Sequence, residues 1–125
     1  MNWHRWIGKP HVTGADPVCD EGCDCLLMVT RIRDHLGLPA PNAIDTATLI
    51  LLSQSEAFSE IHKLILPHLV PVQTPHNGAF TVFETPDKMG TAVMIDDGLL
   101  HVSHKRGVRW MPRNMLRKFD WYDWK

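Results

Sequence analysis

The apolar positions of the chain follow a helical period first and a strand period later. From Asp24 onward, Cys25, Met28, Val29, Ile32 and Leu36 recur at one-face spacing, with Thr30, Arg31, Arg33 and Asp34 on the opposite face. Asp24 stands where an N-cap belongs, and Gly37 where a left-handed C-cap belongs. "LPAPN" then breaks the helix. A second helical region is predicted from Ala43 to Leu69, in two pieces. Ser53 with Glu56 makes a capping box for the second piece, and Phe58, Ile61, Ile65 and Leu69 form its apolar face.

Past "VPVQTPHNG" the period falls to two. "AFTVFET", "TAVMID" and "LLHVS" are β-branched and aromatic runs separated by "PDKMG" and "DDG". The Asp97-Gly98 pair predicts a hairpin turn. "GVRWMP" reads as a fourth strand, followed by a short helix over Arg113 to Lys118 and a last strand in "FDWYDW". Met1 to Ile7 reads as a short helix carrying Trp3 and Trp6, and residues 8–22 as an irregular loop rich in Gly, Pro and Asp. Helices first and an antiparallel sheet after them predict an α+β fold in a single domain spanning residues 1–125.

At 125 residues the chain is long enough to bury a core without staples. Its 13 Lys+Arg balance 14 Asp+Glu, which speaks against a nucleic-acid partner. The longest apolar run, Leu64 to Val72, contains Pro67, His68 and Pro71, so no membrane insertion is expected. The start has no secretory pattern, and the chain is expected to be made in the cytoplasm. Five Trp cluster toward the two ends of the chain. Such clustering either packs the ends together or coats a docking surface.

The three cysteines, Cys19, Cys23 and Cys25, lie within one short stretch, and their odd number speaks against a disulfide framework. With His11 they have the ligand types for a structural zinc site, although the tight Cys-x-Cys spacing with a helix starting inside it does not suit a knuckle. Cys25 would occupy the first turn of the helix, where unpaired N–H groups and the positive end of the dipole favour a thiolate. As a nucleophile it would need a His base and a group orienting that His, both from the sheet half. The plain alternative is a small buried thiol in the core. No cofactor is expected.

"GKPHVTGADPVCDEGCDCLLMV" resembles the opening motif of the NlpC-type cell-wall cysteine peptidases: a Gly-x-Pro-Tyr turn, a glycine-rich loop and an Asp-Cys at a helix start. "NWHRWIGKP", "GCDCL" and "HLGLPAPN" are most similar to the branch found in tail tips of phages and gene-transfer agents. "PHNGAFTVFET", "GTAVMIDDGLLHVSHKRGV" and "MLRKFDWYDW" are similar to the family's core strands and to that branch's C-terminal stretch. The resemblance implies a papain-like NlpC fold, with N-terminal helices packed on an antiparallel β-sheet.

Carried over by position, Cys25 falls on the nucleophile and His101 on the polar residue that orients the base. The base His itself falls on Gly90. His11 stands where the family usually has a Tyr beside the oxyanion site, and Ala79 where a Gly-Asp pair is common. The resemblance therefore implies a structural component of a phage tail hub or tip, catalytically degenerate because Gly90 replaces the base. Implied partners are hub, distal-tail, fibre or tape-measure proteins, and the implied location is the virion tail tip. The first alternative is an active murein peptide hydrolase, with Cys25 attacking, His101 taking the proton and His11 approaching from the loop. A zinc-binding structural domain through Cys19, Cys23 and Cys25, and a host-encoded amidase or acyltransferase, are further alternatives.

Overall fold

The computed structural model describes residues 2–41, 66–85, 88–116 and 118–125. A 3₁₀ turn at Trp3–Trp6 precedes one α-helix, α1, at Cys25–His35. A 3₁₀ turn at Leu66–His68 then leads into six strands: β1 Leu69–Val72, β2 Phe80–Thr85, β3 Lys88–Ile95, β4 Gly98–Ser103, β5 Gly107–Pro112 and β6 Trp121–Trp124. They form one sheet in the order β1-β6-β2-β3-β4-β5, every ladder antiparallel.

The expected papain-like α+β fold, with N-terminal helices packed on a sheet, is corrected by this architecture. What is described is mostly a six-stranded antiparallel sheet with one α-helix. Part of the difference lies at Leu69, expected to close a second helix. Pro67 and Pro71 flank it, and neither can donate to a helix ladder. The chain instead turns extended, and Leu69–Val72 pairs with β6 along the sheet margin, where a proline is tolerated. Leu66–His68 form a 3₁₀ turn, and residues 43–65 of that expected helical region lie outside the described residues. The expected helix at Arg113 to Lys118 is a 3₁₀ turn at Arg113–Met115.

Both faces of the sheet are apolar. On one, Phe80, Val93, Ile95, Leu100 and Val108 pack against Met28, Val29 and Ile32 of α1. Trp3, Trp6 and Trp124 join the same cluster, so the two ends of the chain share a core. On the other, Ala79, Ala92, Met94, Leu99 and Trp121 form a second cluster, with Val72, Leu116 and Phe119 against it. No helix among the described residues is long and apolar enough to cross a membrane.

The helical spacing placed Arg33 on a solvent face, but its side chain is 1% exposed. Its Nε donates to Pro39 O at 2.6 Å, and its Nη1 donates to Gly78 O at 2.7 Å and to Asp123 Oδ1 at 2.8 Å. The guanidinium also lies 5.5 Å from the centroid of the Phe80 ring. His76 Nε2 meets the other Asp123 oxygen at 2.8 Å. Burying a guanidinium is unfavourable by several kcal/mol unless its donors are met, and here Nε and Nη1 are met by α1's own exit loop, the lead into β2, and β6.

The hairpin between β3 and β4 turns on Asp96 and Asp97, one residue earlier than expected, both in the left-handed region at φ 50° and 61°. Gly98 is already in β4, and glycine is required there for space: a Cβ would collide with the Trp110 ring.

Truncating Arg33 to Met should lower the unfolding free energy by about 3–5 kcal/mol in urea titrations, because Asp123 and two carbonyls lose their donor together. The His76–Asp123 pair carries a pH signature. The bond to Asp123 holds His76 above the ordinary imidazole range, so its contribution is fully present below about pH 6.5 and is lost as pH rises through the raised value. Burial pushes Asp123 up, but the bonds from Arg33 and His76 outweigh it and hold the carboxyl below its usual range. Its contribution is therefore present above about pH 4 and fades as pH falls through the lowered value. The stability difference between wild type and His76→Ala should be largest between those limits and shrink on the alkaline side, read as denaturation midpoints across pH.

Candidate functional site

Three backbone N–H groups build the start of α1 around one carboxylate. Asp24 Oδ1 accepts from Leu26 N at 2.9 Å and Leu27 N at 3.2 Å, and Oδ2 accepts from Gly14 N at 2.9 Å. The cap thus ties the preceding loop to the helix and sets Cys25 at the first helical position. The loop is fixed from two further sides. Lys9 Nζ donates to Pro17 O and Asp20 O, both at 2.7 Å. Arg31 closes on Asp16 at 2.6 Å, which holds the Asp16 carboxyl below its usual range.

Cys25 is half-buried, and its thiol meets β3 at Thr91. Burial pushes the thiol above its ordinary range, and the Asp24 carboxylate adds to the push. The Thr91 hydroxyl, the Thr91 N–H and the Leu26 N–H favour the thiolate and are outweighed. A helix N-terminus offers the equivalent of roughly half a positive charge, whereas Asp24 brings a full negative one and already occupies the N–H groups of the first turn. The expected activation by the helix end is therefore reversed. Thr91 Oγ1, facing the thiol, is otherwise a buried oxygen without a hydrogen-bond partner.

The His101 imidazole expected to serve Cys25 lies elsewhere. In the ladder His101 pairs with Ala92 on one side and Arg109 on the other, and cross-strand partners share a face. Ala92 belongs to the second cluster, on the sheet face away from α1. Thr91, one residue earlier, points to the opposite face, so the structure does not bring Cys25 and His101 together. Burial, with the Arg109 charge, holds His101 below the ordinary imidazole range. Gly90 of β3 pairs with Phe83 of β2 and alternates with Thr91, so the residue facing the thiol is Thr91 and not the position where the base was expected. On β4 the side chain that shares this face is Val102. His11 bridges to Cys23 in a parallel pairing, and its ring lies 4.5 Å from that of His104.

Cys23 is fully buried, with Sγ donating to Asp24 O at 3.6 Å, and burial with the charges of Cys25 and Asp24 pushes its thiol up to about 12. Cys19 is exposed. Among the described residues no three His, Cys, Asp or Glu side chains are grouped to hold a metal ion, so Cys19, Cys23 and Cys25 do not fit a zinc centre. Sequence reasoning did not single out Thr91. The signal for it was the register: once the turn sits at Asp96–Asp97, alternation places residues 91, 93 and 95 on the helix face.

Thr91→Val, a change of similar shape, should raise stability by about 1 kcal/mol by removing a buried hydroxyl that lacks a full partner. It should also slow Cys25 alkylation, because the thiolate loses a donor. Peptide mapping of iodoacetamide kinetics, with exposed Cys19 as the internal reference, reads both the slowing and the alkaline onset of Cys25 labelling.

No family model matches the chain, and no curated protein matches it.

Proposed function

We propose that this chain is a structural component of a phage tail hub or tip, in which the cysteine site of an NlpC-type cell-wall peptidase has been kept in outline without its chemistry. The reading rests on the sequence resemblance running from "GKPHVTG" through "GCDCLLMV" to "FDWYDW". The observation that carries the loss of chemistry is the Cys25–Thr91 contact. The thiol faces a hydroxyl that cannot act as a base near neutral pH, and Asp24 beside it disfavours the thiolate. Losing a member of such a catalytic group removes on the order of 10⁴-fold in rate. The partners would be other tail proteins, and the place of action the virion tail tip.

One observation favours the alternative of an active murein peptide hydrolase. His11 bridges to Cys23, which stands two residues before Cys25, so the loop that carries this imidazole runs beside the segment that leads to the thiol.

Murein sacculi and stem-peptide substrates incubated with the purified protein should release no new amino termini. Tail particles carrying Cys25→Ser should retain the chain at wild-type copy number and remain infectious. Peptide release that disappears in Cys25→Ser would overturn the structural reading. If it also disappears in His11→Ala, with Cys25 labelling moved to higher pH, the base is His11.

A further inference from the structure

We infer that the groove between the Trp3–Trp6 turn and the β3–β4 hairpin is a binding site for a primary alkylammonium group, held by the Asp96 carboxylate and laid on the Trp110 ring. The groove has a volume of about 480 Å³ and is bordered by Trp3, His4, Ile7, Asp96, Arg109 and Trp110. That size belongs to small-molecule sites, which span roughly 300–1,000 Å³.

The hairpin turn builds it. Trp3 Nε1 donates to Asp96 Oδ2 at 3.1 Å, and Trp110 Nε1 donates to the carbonyl of the preceding residue, Ile95, at 3.0 Å. One carboxylate thus lies beside two indoles whose N–H groups are both used, and what the indoles still offer is π surface. The two rings are stacked with centroids 6.4 Å apart, too close to admit a ligand ring between them. Trp3 is buried and has the His4 ring stacked on it at 3.8 Å, whereas Trp110 is 36% exposed. The open surface is therefore that of Trp110, whose ring rests against Gly98, where no side chain could stand.

Strand register sets the charge of the groove. Trp110 pairs with Leu100 and Leu100 with Val93, so the Trp110 ring is on the sheet face that carries Trp3. Arg109 pairs with His101 and His101 with Ala92, so its guanidinium points to the other face, away from the groove. There burial and the Arg109 charge together hold His101 below the ordinary imidazole range. Asp97, next in the turn, is already paired with Arg113 at 2.7 Å. Asp96 is not: among the described residues its Oδ1 has no hydrogen-bond or ion-pair partner.

An uncompensated carboxylate beside an open aromatic face calls for a cation. An anion is repelled by Asp96, and a wholly apolar ligand would strip it of water. The form of the cation follows from what is missing. A quaternary ammonium has no N–H to give to Oδ1 and is best met by a cage of several ring faces, whereas here one is open. A primary ammonium gives one N–H to Oδ1 and keeps the others in water, while its methylene stem lies along Trp110 and Ile7. A free alkylamine and a lysine side chain bring the same group. The site shares no residue with the Cys25 region and goes beyond the reading of that thiol.

The experiment is a titration of ¹⁵N-labelled protein with n-butylammonium and with Nα-acetyl-lysine N-methylamide, read on the five indole N–H resonances. The Trp110 and Trp3 signals should shift saturably in the millimolar range while those of Trp6, Trp121 and Trp124 stay in place. The tighter of the two probes identifies the source, a free amine or a peptide lysine. Asp96→Asn keeps an acceptor for Trp3 and places at φ 50° a residue type that tolerates it, so the melting temperature should be unchanged while Kd rises at least about tenfold. Trp110→Ala should raise Kd about two- to fivefold. The assignment is overturned if neither ammonium moves the Trp110 signal, if Asp96→Asn binds as wild type, or if n-butanol or tetramethylammonium binds as tightly as n-butylammonium.

Discussion

Arg33 brings a charge into the interior and obliges the chain to answer it from three directions at once. Pro39 closes the exit of α1 on the guanidinium, Gly78 brings the lead into β2, and Asp123 brings β6. None of these contacts is local in sequence except the first. Each is formed only when the helix lies at one height and one rotation over the sheet, so the network sets the helix as well as stabilising it. At the other end of α1, about 12 Å away by the rise of a helix, Asp24 pins the first turn to Gly14. A helix held at both ends by hydrogen-bonded charges leaves Cys25 little freedom to seek another partner on the sheet.

That rigidity gives the thiol site its character. The parts of a nucleophile site are recognisable: a cysteine at a helix start, donors around its sulfur, and a strand opposite. The field is what differs. The same carboxylate that makes α1 start where it does absorbs the favourable end of the helix and sits beside the sulfur. Capping and thiolate activation compete for the same N–H groups, and here capping wins.

Much of the local structure was legible from periodicity. The limits of α1, its Asp24 cap and the order of the β-runs follow from spacing and residue type, and of the two readings left open for the Trp-rich ends, Trp3, Trp6 and Trp124 take the shared core. Three features were not. Arg33 stands at a helical position where a cation normally meets water, and only the arrival of Asp123 from far along the chain makes its burial tolerable. Leu69 continued an apolar helical spacing, yet the flanking prolines and the offer of pairing from β6 drew it into a strand. On β3 both faces are apolar, Val93 and Ile95 on one and Ala92 and Met94 on the other, so alternation alone does not say which face meets the helix. The base position, counted back from Asp96-Asp97-Gly98 by resemblance, fell on Gly90, whereas the residue facing the thiol is its neighbour Thr91. In a strand that error changes sides.

The margins of the sheet have a consequence for how copies of the chain meet. On the β5 side, Gly8 N–H and Lys9 O pair with Val108, and Pro112 offers no donor at the strand's end. On the β1 side, Pro71 interrupts the row of donors. A six-stranded sheet with an apolar surface on each side is the kind of object that recruits further strands from its neighbours. Here the chain's own beginning and two prolines leave incoming strands few places to attach, so copies can be packed at high local concentration without polymerising through their backbones.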